Sequence, residues 1–122
     1  MNGYLQVMTT VGSQEEAARI AASLLEQRLA ACVQTVGPIL SRYRWQGQLE
    51  EGTEWQCLAK TEAALYDRVE SAIRDLHPYE QPEILAIPVL AGSAGYLAWI
   101  SANVGEERAR HAAGSRVRRG AD

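Results

Sequence analysis

The sequence predicts an α+β domain of the ferredoxin-like, split β-α-β kind: one antiparallel sheet, helices packed on one face, and an extra C-terminal helix. Three observations predict it. The hydrophobic period switches between two and 3.6 in the order strand, helix, strand, strand, helix, strand, and then a last helix. The two middle strand segments meet through the short turn Gln46-Gly47-Gln48, which makes them antiparallel neighbours. Finally, 122 residues at 47% hydrophobic content suffice for one core. Folding at this size buries roughly 65% of the unfolded surface, so no disulfide or metal staple is required.

The first strand is placed at Tyr4 to Thr10, apolar at Leu5, Val7 and Met8, and ends at Val11-Gly12. Ser13-Gln14-Glu15-Glu16 reads as a capping box, the serine oxygen facing the Glu16 amide and the Glu16 carboxylate reaching back. The helix it opens carries Ile20, Ala21, Leu24 and Leu25 on one face and is expected to run to about Ala30. From Ala31 the period is two. Gly37-Pro38 breaks it, and it resumes with Ile39, Ser41, Tyr43 and Trp45 on one face against Leu40, Arg42 and Arg44 on the other. Glu51-Gly52 is a second expected kink or bulge. The return strand puts Thr53, Trp55, Cys57 and Ala59 on one face and Glu54, Gln56, Leu58 and Lys60 on the other.

Thr61 is the expected cap of a second helix, whose Leu65, Val69, Ala72, Ile73 and Leu76 follow the helical period until His77-Pro78 stops it. Ile84 to Leu90 reads as a buried strand in which Pro88 removes a ladder donor, implying a bulge or a sheet edge. Ser93 caps the last helix, with Leu97, Trp99, Ile100 and Val104. Residues 1–104 form the domain, and 105–122 are expected to be a basic, flexible tail.

One length does not suit a solitary domain. At about 3.3 Å per residue the stretch from Ala31 to Gln46 spans roughly 50 Å if straight, whereas a compact domain of this size is about 35 Å across. Its tip carries Tyr43, Trp45, Leu49 and Trp55, a heavy aromatic load for a solvated ribbon. Burial of this ribbon by oligomerisation is therefore expected.

Net charge is −3, divided between −5 over residues 1–104 and +2 over 105–122. An acidic body without a basic stripe offers no footprint for nucleic acid, and the absence of Phe argues against an RNA-binding version of this sheet. No apolar run approaches the ~18 residues of a membrane span. The start, Met1-Asn2-Gly3-Tyr4, lacks a basic stretch followed by an apolar block, so a cytoplasmic location is expected. Cys32 and Cys57, the two cysteines, have no Cys or His at metal-finger spacing and read as small hydrophobes in a reducing compartment.

No serine-histidine-aspartate signature, phosphate-cradling loop or dinucleotide fingerprint is present. The segment His77-Pro78-Tyr79-Glu80-Gln81-Pro82-Glu83 gathers an imidazole, a phenol and two carboxylates between prolines. These groups suit metal ligation or acid-base work, but His77 at a helix C-terminus also has a structural role against the helix dipole. Glu54 and Lys60 share a strand face, as ligand groups or as solvated charges. Tyr43 and Trp45 share another, either stacking a planar ligand or packing in an interface. An enzyme using His77 and Glu80 as acid and base is disfavoured, because no nucleophile or cofactor motif accompanies them.

Leu29-Ala30-Ala31-Cys32-Val33, Ser41-x-Tyr43-x-Trp45-x-Gly47, Lys60-Thr61, His77-Pro78-Tyr79-Glu80-x-Pro82 and Tyr96-x-x-Trp99, in this order over residues 4–104, resemble the CutA divalent-cation tolerance family. The resemblance implies a ferredoxin-like protomer in a tightly packed homotrimer, with long strands extending a neighbour's sheet. It implies tolerance of copper and other divalent metals rather than an enzymatic activity. It also implies likeness to the trimers of PII signalling proteins, with ligand clefts between subunits. The family's copper site uses a Cys on the first strand and two consecutive His at the end of the second helix; here those positions read Thr9, Leu76 and His77. The resemblance therefore implies weak binding of a divalent metal such as copper or zinc by His77 and Glu80. It implies a polar-ligand cleft built from Tyr43, Trp45, Glu54, Lys60 and Tyr79. A PII-like small-molecule sensor or a protein-binding scaffold is the alternative function.

Overall fold

A computed structural model describes residues 2–105. Apart from Gly105, the expected tail lies outside the described residues. In chain order the elements are β1 (Tyr4–Val11), α1 (Gln14–Glu26), β2 (Cys32–Trp45), β3 (Gln48–Glu62), a single 3-10 turn (Ala63–Leu65), α2 (Tyr66–Leu76), β4 (Ile84–Pro88) and α3 (Ala94–Ala102). The sheet order is β2-β3-β1-β4 and every neighbouring pair is antiparallel. This is the split β-α-β arrangement with one additional helix.

Register assigns the faces. Leu5, Val7, Thr9 and Val11 of β1 stand opposite Thr61, Ala59, Cys57 and Trp55 of β3, and directly paired residues share a face. That face carries the core, where Ile20 and Leu24 of α1 and Val69 and Ile73 of α2 cover it. The opposite face bears Tyr4, Gln6, Met8 and Thr10 of β1 with Glu62, Lys60, Leu58 and Gln56 of β3. Of the described helices α3 reaches it: the Ser101 hydroxyl donates to Glu62 Oε2 at 2.7 Å and lies 2.6 Å from the Tyr4 hydroxyl. Helices α1 and α2 thus cover one face, while α3 belongs to the other.

The ends of the elements show where local pattern and structure part. Ser13 caps α1 as its sequence indicates, accepting from the Glu16 amide at 3.1 Å. The helix stops at Glu26, four residues before Ala30. Arg28 takes a left-handed φ of 57°. The Leu29 amide donates to the Leu24 carbonyl and the Arg28 amide to the Leu25 carbonyl. That is the Schellman closure, here with arginine where glycine is usual. Leu29 and Ala30 continue the apolar pattern because they are buried beneath the exit loop, not because they are helical.

Thr61 does not cap α2. It is the penultimate residue of β3, fully buried, and its hydroxyl donates to the Leu29 carbonyl at 2.6 Å. Glu51-Gly52 is not a bulge either, since Glu51 pairs with Arg42 and Gly52 with Ser41 in unbroken register. The irregularity falls at Gly37-Pro38, between Val36 and Ile39, where Gly37 accommodates the Trp55 indole: a Cβ there would sit 2.7 Å from the ring Cγ. The last strand ends at Pro88 rather than Leu90 and is not buried, with Leu85 54% and Ile87 48% exposed. As the outermost strand it has one neighbour, and Pro88 costs it no interior ladder bond. Ser93 caps α3 through the Tyr96 amide at 3.3 Å. No described helix is long and apolar enough to cross a membrane.

Two buried threonines on one face differ in satisfaction. The Thr9 hydroxyl has no hydrogen-bond partner among the described residues, whereas Thr61 bonds the Leu29 carbonyl. Replacing Thr9 by Val removes an unsatisfied polar atom and is expected to stabilise by about 1 kcal/mol, while Thr61→Val orphans a buried carbonyl and costs about 1–3 kcal/mol. Urea unfolding midpoints of the two variants, compared at one protein concentration, test this opposition in sign.

Candidate functional site

The strands β2 and β3 outrun the sheet. β1 pairs only with Trp55–Glu62 of β3, so Gln48–Glu54 has β2 alone for company. Along this overhang Ile39 stands opposite Glu54, Ser41 opposite Gly52 and Tyr43 opposite Glu50. Ser41, Tyr43 and Trp45 therefore share the face of Glu54, the face not covered by α1 and α2. The loop between α2 and β4 leans against the same place, and between loop and overhang lies a cleft of about 550 Å³. Tyr43, Trp45, Glu54, Tyr79, Glu80 and Glu83 line it, with Thr10 at its back.

His77 holds that loop in position. It ends α2 with an extended ψ of 129°, as the following proline requires. Its Nε2 lies 2.9 Å from the Thr10 carbonyl, and its Nδ1 accepts the Tyr79 amide at 3.2 Å. A carbonyl only accepts, so the proton sits on Nε2 and the ring is neutral. Burial lowers the His77 pKa from its ordinary value, against the opposing pull of the Thr10 carbonyl and the Glu16 and Glu54 carboxylates. The Tyr79 ring meets the imidazole edge-on at 4.9 Å, and its hydroxyl donates to Glu54 Oε2 at 2.7 Å. Burial, followed by the Glu54 hydrogen bond and charge, pushes the Tyr79 pKa upward, which keeps the phenol protonated as the donor. Pro82 is buried and anchors the far end of the loop.

Of the residues read from sequence as site residues, Tyr43, Trp45, Glu54, Tyr79 and Glu80 come together in this cleft. His77 stands behind it, tying Thr10 to the loop. Lys60 is elsewhere: its ammonium donates to Gln34 Oε1 at 2.7 Å, six residues and roughly 20 Å along β3 from Glu54. Sequence reasoning missed Thr10, Ser41 and Arg42. Ser41 was readable from the alternation that contains Tyr43 and Trp45. Thr10 left no signal, because its place follows from the pairing of β1 with β3. Arg42 lines the cleft while paired with Glu51 at 2.8 Å.

The donor set does not fit an assembled copper or zinc centre within one chain. Among the described residues no group of three or more His, Cys, Asp or Glu side chains is arranged to hold a metal ion. Thr9 is on the core face of β1, away from the cleft, and both nitrogens of His77 are already engaged. The two cysteines are free and on opposite faces, Cys32 opposite Lys60 and Cys57 opposite Thr9. Burial raises the Cys57 thiol to about 11, which removes it as a ready thiolate.

Fold and cleft define the class: a ferredoxin-like α+β domain whose second and third strands overrun the sheet and roof a ligand-sized cleft. The chain belongs to the CutA1 divalent ion tolerance protein family, whose model matches residues 5–103. It is 43% identical over 99 residues to the divalent-cation tolerance protein CutA of Thermus thermophilus, covering 81% of this chain and 96% of that protein. It is 38% identical over 91 residues to the human protein CutA, covering 75% of this chain but only 51% of the human one. The chain thus spans about half the length of that relative. Among solved structures, that of the Thermus thermophilus protein superposes with a TM-score of 0.81 at 42% identity, over 84% of this chain and 99% of that one. That of CutA from Xylella fastidiosa gives 0.81 at 35% identity, over 84% and 98%. Divalent-cation tolerance is the general function these relatives support, and their names describe tolerance proteins rather than enzymes.

The neutral, doubly bonded imidazole carries a pH signature. A folded pKa below the unfolded 6.5 means the unfolded chain takes up a proton first, so this contribution to stability is intact above pH ~6.5 and is lost as pH falls through the folded value. Thermal melts between pH 7.5 and 5 are expected to show this loss, and His77→Ala to flatten it, at lower stability throughout.

Proposed function

We propose that the chain serves divalent-cation tolerance as a homotrimer whose ribbons cover one another, with divalent ions such as copper or zinc bound weakly through His77 and Glu80. The observation that carries the assembly is the uncovered overhang. Tyr43 is 47%, Trp45 40% and Leu49 75% exposed in the single chain, and Leu90, beyond the outer strand, is 99% exposed. Apolar surface of this extent marks an interface, and the homotrimer implied by the family resemblance is the assembly suited to cover it. Weak metal affinity follows from the donors. Binding at His77 Nδ1 must displace the Tyr79 amide, and Glu80 adds one carboxylate. A ligand group from a neighbouring subunit completes such a site more readily than anything in the chain itself.

A second reading is a small-molecule sensor or trimeric protein-binding scaffold of the PII-like kind, and the cleft favours it. A volume of about 550 Å³ is within the range of small-molecule sites, whereas an ion with six waters needs roughly 200 Å³ at about 30 Å³ per water. Location is part of the same proposal. The two unpaired cysteines suit a reducing compartment such as the cytoplasm, although one related structure, from Archaeoglobus fulgidus, is named as that of a periplasmic protein.

Sedimentation equilibrium is expected to return three times the 13.4 kDa chain mass, and Trp45→Ser to shift the mass toward that of one chain. A wild-type mass of one chain sinks the assembly. In parallel, chelator-treated protein is melted with Cu(II), Zn(II), Co(II) or no metal. A concentration-dependent rise that disappears in His77→Ala is expected of a folded-state metal site. No rise at metal concentrations well above physiological levels leaves the sensor or scaffold reading.

A further inference from the structure

The cleft has a chemistry of its own, distinct from that of a metal centre. Glu54, Glu80 and Glu83 bring three carboxylates to its lining, against the single guanidinium of Arg42, which is already paired with Glu51. Tyr43, Trp45 and Tyr79 supply aromatic walls. At the back is Thr10, 6% exposed, whose side chain is on the lining of the cleft. A threonine hydroxyl at the base of an acidic, aromatic cleft can accept a hydrogen bond from a ligand's donor.

These features select among ligands. Excess negative charge rejects anions, and the volume is too large for one ion to make close contacts on all sides. Ligation by softer donors is excluded, because neither cysteine lines the cleft. Aromatic faces attract cations that shed water easily, such as guanidinium and substituted ammonium groups, better than tightly hydrated metal ions. Carboxylates bind the same groups through charge-assisted hydrogen bonds. The Glu54 carboxylate is held ready by the Tyr79 hydroxyl, and its second oxygen is free for a ligand N–H.

We propose that the cleft between the β2–β3 overhang and the 77–83 loop binds a small organic cation, a guanidinium or ammonium head on a short apolar stem. The inference rests on the sensor reading above, in which the cleft is a functional ligand site. The head group sits between Glu80 and Glu83, the stem lies along Tyr43 and Trp45, and a second N–H reaches Thr10 and Glu54.

The test uses the full chain, stripped of metal by chelator, and calorimetric titration with agmatine, which carries a guanidinium and an amine on a four-carbon stem. The control is 4-guanidinobutanoate, of similar length with a carboxylate in place of the amine; zinc chloride is titrated separately. Agmatine is expected to bind at least tenfold more tightly than the control and to weaken as salt is added. The double variant Glu80→Gln/Glu83→Gln, altered only at exposed loop positions, is expected to lose at least tenfold in agmatine affinity with an unchanged circular dichroism spectrum. Should that variant fold poorly, Glu54→Gln, on the strand wall, takes its place. Agmatine bound equally well by the variant, or no better than the control by the wild type, overturns the inference. If agmatine does not bind but the control does, cation selectivity falls while the cleft stands as a ligand site. If neither binds, the sensor reading falls with it, and a zinc signal then leaves metal tolerance alone.

Discussion

The architecture depends on a mismatch of strand lengths. β1 has 8 residues, while β2 and β3 have 14 and 15. Backbone hydrogen bonding lets the two long strands satisfy each other beyond the end of β1, but a two-stranded ribbon has no layer to bury its side chains. The aromatic residues of the overhang are consequently left half-exposed in a single chain. The same overhang makes the cleft. Where β1 ends, the face of Glu54, Ser41 and Tyr43 has no third strand beside it, and the loop after α2 fills part of that space without closing it.

At the opposite end of the sheet the structure is tied tightly. Thr61 bonds the Leu29 carbonyl, the Ala31 amide donates to the Lys60 carbonyl, and the Arg28 carbonyl accepts from the Gly105 amide. The Arg28 side chain adds a 3.0 Å bond to the Gly105 carbonyl. An arginine in a left-handed conformation bears a local strain that glycine would not, and its contacts to Gly105 offset that strain. The exit of α1, the end of β3 and the end of α3 are thereby joined.

His77 illustrates how one residue type admits two roles. An imidazole next to a phenol and carboxylates resembles a reactive centre, yet each ring nitrogen is engaged with backbone, and burial favours the neutral form. Its work in the folded chain is to fix the path of the loop that brings Tyr79 to Glu54.

The alternation and the helical periods determined by themselves which elements exist, which face of β1, β3, α1 and α2 is apolar, and that the stretch from Ala31 to Gln46 is long for a domain of this size. They also placed Tyr43 and Trp45 on one face and stopped α2 at His77-Pro78, because side-chain phase within an element and the steric demand of proline are local. They misjudged the end of α1, the role of Thr61 and the burial of β4. Apolar periodicity cannot separate a buried loop from a helix turn, a threonine hydroxyl caps or cross-links according to what lies beside it, and an edge strand looks like an interior one until its neighbours are known. Only the tertiary structure decided that Thr10, Glu54 and Tyr79 meet while Lys60 is remote. Phase along a strand says nothing of the register between strands or of the path of a loop, and those two quantities, set by packing over the whole chain, decide which side chains share a cleft.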